Sequence, residues 1–265
     1  MAPIYIFILQ EALQEKEIPT SILNRQIINQ AGMEEKIMKK TKRNVAAAVI
    51  ALGIVLVGGG TAYAAYHYLT AGEIADSVSV SDNRNLADAF ESQDAIVIDK
   101  SQESGDYVFQ ILGIVTGSHL EPYITNASKA DIDSQKTYIT MAISKKDGSA
   151  MANKKFCISP LIGGVPFEEA NNETLKTEMT WFEQDGVMYE LVACDDLEVF
   201  ADKGVWISAV DSFGDERNAF VLNPDGSYTK NAEYQGVSAL FEVPFDSSGA
   251  DTEAADADLT ERKDE

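Results

Sequence analysis

The sequence predicts a mainly β protein: an exported β-sandwich-like domain, preceded by a cytoplasmic helical segment and a single transmembrane helix. Three observations predict it. An uncharged run extends from Val45 through Tyr66, with Lys39, Lys40, Lys42 and Arg43 at one end only. From Ala95 onward, short stretches rich in Val, Ile, Tyr, Phe and Thr follow one another. Turn signals separate them: Asp147-Gly148, Asp185-Gly186 and Asn223-Pro224-Asp225-Gly226.

The run comes first because it sets the topology. An uncharged stretch of about 20 residues is long enough to cross a hydrocarbon core, and in lipid only a helix satisfies its own backbone. The one-sided cation cluster keeps its end in the cytoplasm, so the chain beyond Leu69 is exported. The boundaries that follow are 1–43 cytoplasmic helical segment, 44–69 transmembrane helix, 70–94 helical connector, 95–245 extracytoplasmic all-β domain and 246–265 disordered acidic tail. Gly60 with Ala64, and Ala47 with Ala51, are small-xxx-small pairs that permit a homodimer through the membrane helix. A second reading stays open. A basic n-region, an apolar stretch and Ala62-Tyr63-Ala64 also fit a signal peptide cleaved after Ala64. That reading makes the protein an exported or surface binding module, and it too puts residues 70–265 outside.

Residues 11–43 read as helix interrupted at Pro19, with Thr20 or Ser21 as the cap of a second helix. Leu23, Ile27, Ala31 and Ile37 share one face of it. So short a helix cannot bury that stripe alone, so the stripe lies along lipid or docks on a cytoplasmic partner. Beyond the run, Ala71–Asp76 and Asn85–Phe90 each read as a turn or two of helix. The strand candidates are 95–99, 107–116, 137–144, 155–159, 179–183, 187–194, 198–201, 205–210, 219–222 and 238–243. Within 137–144, Tyr138, Thr140 and Ala142 alternate with Ile139, Met141 and Ile143. Phe156 to Glu168, with Pro160, Gly163, Gly164 and Pro166, reads as a loop crossing between strands. From Asp246 the composition is too polar to fold.

Charge excludes one class of partner. Residues 1–43 hold seven of the 21 Lys and Arg and five of the 43 Asp and Glu, leaving 14 basic and 38 acidic residues beyond, a net of −24. That field repels nucleic acid. Chemistry-bearing motifs are lacking: no phosphate loop, dinucleotide fingerprint or nucleophile elbow is present. His67 and His119 stand apart from any Cys/His cluster. The acids Asp195, Asp196, Glu198 and Asp202 match no calcium-loop spacing and read as solvated strand ends. The expectation is a protein with no catalytic residues, no metal and no cofactor. Cys157 and Cys194 are either a disulfide, which an exported location permits, or two buried small apolar residues. Asn126-Ala127-Ser128 and Asn172-Glu173-Thr174 fit the N-glycosylation pattern.

Two stretches, Phe156-Cys157-Ile158-Ser159-Pro160-Leu161-Ile162 and Asp185 through Asp202, resemble an uncharacterised extracytoplasmic domain of Gram-positive bacteria. There it follows a single membrane helix and a short cytoplasmic segment with a run like Glu17-Ile18-Pro19-Thr20-Ser21. Such proteins are regarded as anti-sigma-factor-like regulators, and the resemblance spans roughly residues 11–245. It implies that 11–43 binds an extracytoplasmic-function sigma factor while the exported domain senses an envelope condition. It carries over no catalytic residue. Residues 1–43 contain no Cys or His, unlike the zinc-binding class of anti-sigma factors.

Overall fold

A computed structural model describes residues 68–79, 84–98, 101–124 and 132–264. All of them belong to one of the chain's two compact units. The run Val45–Tyr66 and the cytoplasmic segment lie outside the described residues. Among the described residues no helix is long and apolar enough to cross a membrane.

The chain is mainly β, and every strand pairing is antiparallel. Five strands form the larger sheet: β1 (Ser101–Ser104), β2 (Tyr107–Thr116), β3 (Lys136–Lys145), β5 (Glu178–Gln184) and β6 (Val187–Asp195), in the order β1-β2-β3-β6-β5. A smaller sheet has the order β10-β7-β4, from β4 (Cys157–Ile162), β7 (Val205–Val210) and β10 (Ser238–Val243). A hairpin of β8 (Phe220–Leu222) and β9 (Tyr228–Lys230) completes the strands.

Alternation along the strands explains how the sheets meet. On β3, Ile139, Met141 and Ile143 enter one apolar cluster with Phe109 and Ile111 of β2, Ile158 of β4, Ile207 of β7 and Phe241 of β10. That cluster is the core between the two sheets, arranged as a sandwich. The opposite residues of β3, Tyr138 and Ala142, belong to clusters on the outer face. Two helices cover that face: α1 (Ala71–Val78) and α2 (Asn85–Phe90), both matching the expected helical turns. A bulge between Ile111 and Gly113 re-aims β2 in mid-strand. A Cβ on Gly113 would lie 2.8 Å from the Ala71 Cβ, so glycine lets α1 seat against the sheet. The outer face of the smaller sheet is covered by the β8–β9 hairpin, with Phe220 and Tyr228 packed on Cys157, Leu161 and Val210.

The structure corrects several local expectations. Residues 95–98 form only a bridge, Ile96 to Ile114, because the chain meets β2 at a single pair. Glu198–Phe200 is a 3-10 turn that drops Phe200 into the core. The stretch expected to begin as a loop at Phe156 stays extended through Ile162. Pro160 is tolerated there because β4 is an edge strand. β1 and β9 went unforeseen, since Ser-Gln-Glu-Ser has no apolar period and β9 has only three residues. The tail also differs from expectation. A 3-10 turn (Ser247–Gly249) leads into α4 (Thr252–Asp264), where Ala255 is fully buried and Leu259 packs on the core, one turn apart. Lys203 Nζ meets Asp256 at 3.1 Å, and the Thr252 hydroxyl donates to Asp202 at 2.9 Å. These two apolar residues and two polar ties hold a helix whose composition alone would not fold.

Gly163 sits where two backbones touch. Its N–H donates to Gly204 O at 2.8 Å, and an added Cβ would lie 1.9 Å from Lys203 O. Gly163→Ala is expected to lower stability by about 1–3 kcal/mol, measured by urea unfolding.

Candidate functional site

The first described residues form a latch onto the larger sheet. Tyr68 is buried, and its hydroxyl bonds the Ser144 hydroxyl of β3 at 2.9 Å. The Leu69 N–H donates to the Tyr189 hydroxyl of β6 at 3.1 Å. Thr70 then starts α1 with a reciprocal cap: Glu73 N–H donates to Thr70 Oγ1 at 3.2 Å, and Thr70 N–H donates to Glu73 Oε2 at 2.7 Å. Ile74 is fully buried one turn later. Tyr189 anchors the latch. Its ring stacks on Phe182 of β5 at 5.4 Å, and burial pushes its hydroxyl pKa up to about 12, so it stays a neutral partner.

A second group is wholly internal. On the outer face of β4, the Ser159 hydroxyl donates to Glu216 Oε1 at 2.7 Å and accepts from Asn172 Nδ2 at 2.7 Å. The same amide donates to Cys157 Sγ at 3.2 Å. Glu216 lies in the single turn α3 (Glu216–Ala219) and is 2% exposed. Its Oε2 and Asn172 Oδ1 have no hydrogen-bond partner among the described residues. Burial, then the hydrogen bond and charge of Glu216, push the Cys157 thiol up to about 12. That thiol is protonated and unreactive at neutral pH.

Glu190 of β6 is the third feature. It shares strand parity with the core residues Met188, Val192 and Cys194, and it is 3% exposed. Burial raises its pKa to about 8, opposed by the positive charge of Lys155. The Lys155 ammonium itself lies 4.6 Å over the Trp181 ring.

The partner-binding residues expected from sequence, Leu23, Ile27, Ala31 and Ile37, lie outside the described residues. Within the acidic group of 195–202, Asp196 and Glu198 converge beside Gly117, while Asp195 and Asp202 take other partners. Asp195 lies 3.7 Å from Lys176. Asp196 accepts from Thr116, Thr137 and the Glu198 N–H. Glu198 meets His119 at 3.4 Å, and Asp202 accepts from Thr252. Among the described residues no three His, Cys, Asp or Glu could hold a metal ion. Cys157 and Cys194 lie in separate clusters and form no disulfide with each other. Asn172 is buried with its amide engaged, which bars a glycan on the folded chain. A shallow groove of about 430 Å³ runs between Gly163, Gly164, Lys203, Asp225 and Leu259.

Sequence reasoning missed Tyr189, Glu190, Asn172 and Glu216. Glu190 had a signal: it is a carboxylate at a core parity within an apolar strand. Glu216 and Asn172 had none, since each reaches Ser159 from a loop or a single helical turn.

No family model matches the chain, and no curated protein matches it. Among solved structures, an IgNAR antibody domain C3 aligns with 54% of this chain and 99% of its own length, at 11% identity and a TM-score of 0.23. A likeness that loose carries no argument.

An acid whose pKa is higher folded than unfolded binds more protons in the folded state over that interval. Glu190 therefore leaves stability full below about 4.5 and erodes it as pH rises through about 8. Glu190→Gln is expected to flatten that slope and to stabilise the protein at pH 9 by roughly 1–3 kcal/mol, read from urea unfolding across pH. Tyr189→Phe deprives the Leu69 N–H of its acceptor. It is expected to cost about 1–2 kcal/mol and to speed amide exchange at Leu69 while the β3 amides keep their protection.

Proposed function

We propose that the chain is a single-pass membrane regulator of the anti-sigma-factor kind. In this reading residues 11–43, through Leu23, Ile27, Ala31 and Ile37, hold an extracytoplasmic-function sigma factor in the cytoplasm. The β domain faces outward and responds to the envelope. The observation that carries the proposal is the latch. Tyr68 and Leu69 are fixed to β3 and β6 two and three residues beyond the uncharged run. Tyr68 and Leu69, read from sequence as the end of the membrane helix, are instead non-helical and bound to the sheet, so a membrane helix built from that run has to end before Tyr68. A signal felt by the sheet then has a short mechanical route to the bilayer. The net charge of −24 beyond residue 43 suits an exposed outer domain.

One observation favours the second reading, an exported binding module with a cleaved signal peptide. Every latch contact lies after Ala64, so cleavage there removes none of them. Mass spectrometry of the mature N-terminus in separated membrane and culture fractions decides between the two. The regulator reading expects intact N-terminal residues in the membrane fraction, and co-purification of a sigma factor that Ile27→Asp abolishes. A mature chain starting near Ala65 in the medium would replace it with the second reading.

A further inference from the structure

We infer that the outer edge of β5 is a docking site for an extended, basic peptide segment, which adds to the five-stranded sheet as a further strand. The two sheets have four edges: two close on each other and a third is interrupted by proline. β1 and β10 close on each other. The Gln102 side-chain amide donates to Leu240 O and accepts from Leu240 N–H, and Ser238 N–H donates to the Ser104 hydroxyl at 3.0 Å. Gln102 thus plays the part of a strand residue for β10. β4 carries Pro160, which has no N–H to offer an added strand. Among the described residues β5 lacks such protection. It is seven residues long, holds neither proline nor lysine, and its main chain is bonded to β6 alone among the described residues. An edge of that kind is a template for strand addition.

Charge selects the occupant. Glu178 and Glu183 are exposed on the strand and Asp185 at its turn, while the nearby cations are Lys136, 3.8 Å from Glu178, and Lys155 over Trp181. The net of −24 beyond residue 43 repels a second copy of the same chain and draws in a segment bearing Lys or Arg. Trp181 and Phe182 are half-buried on opposite faces of β5, so each face offers an aromatic ledge to alternate side chains of an added strand. The inference supplies a ligand class for the outward-facing domain. It rests on the proposed function only for the site's location, since binding itself does not depend on the anchor.

The test uses the full chain in detergent micelles and a synthetic eight-residue peptide alternating Lys with Val and Thr. Two controls accompany it: the same peptide with Glu for Lys, and the same peptide with proline at alternate positions. The inference expects the Lys peptide to bind and to slow amide exchange on β5 at least tenfold. Both controls should bind at least tenfold more weakly, and Glu178→Lys should weaken the Lys peptide and favour the Glu peptide. Three results overturn it. One is no binding up to about 1 mM. Another is equal binding of the Lys and proline peptides without β5 protection, which would mean charge attraction alone. The third is self-association of the chain through β5 in the absence of peptide. None of these outcomes bears on where the mature N-terminus lies, so failure here leaves the membrane proposal standing, and the reverse holds as well.

Discussion

The larger sheet is apolar on both faces, and this constraint governs the rest of the architecture. β3 is buried along almost its whole length, with Ile139, Met141 and Ile143 on one side and Tyr138 and Ala142 on the other. An antiparallel sheet can leave one face to water, but this one cannot. Its inner face needs the smaller sheet and its outer face needs α1 and α2. The glycine at 113 and the bulge before it exist at the point where helix and sheet press closest. The smaller sheet repeats the problem on a smaller scale and solves it with the β8–β9 hairpin, where Tyr228 meets Trp206 edge to face at 6.0 Å.

Polar groups have been taken into these layers at identifiable cost. Thr116 and Thr137 are buried and share Asp196, so both hydroxyls are satisfied, and the same carboxylate accepts the Glu198 N–H that begins the 3-10 turn. Glu190 and Glu216 are different: each keeps an oxygen without a partner among the described residues. A buried carboxylate in that state is destabilising when ionised, and in Glu190 the consequence is a proton retained near neutrality.

The strands that depend on local pattern were legible in the sequence. The residues 107–116, 205–210 and 238–243 are strands as read, because each is a run of β-formers bounded by turn residues. The alternation of 138–143 was legible, but not which side faces the core, since both sides are buried. What was hidden depends on distant partners. β1 is polar and owes its position to β2 and to Gln102 reaching Leu240. The turn at 198–200 reads as β by composition and is bent by Asp196 capping and by Phe200 seeking the interior. The terminal helix has only Ala255 and Leu259 to bury, too little to register as a pattern. The site was less legible still: Tyr68, Ser144 and Tyr189 come from three distant stretches, and nothing local links them.

The Leu69 amide is held by a phenol from the middle of the sheet instead of by a neighbouring strand. A strand partner would let the entering chain peel away one rung at a time, like a zip. A single deep peg, with Tyr68 wedged beside it, yields all at once or stays fast. Removing that one hydroxyl therefore frees the entering amide in a single step and not rung by rung.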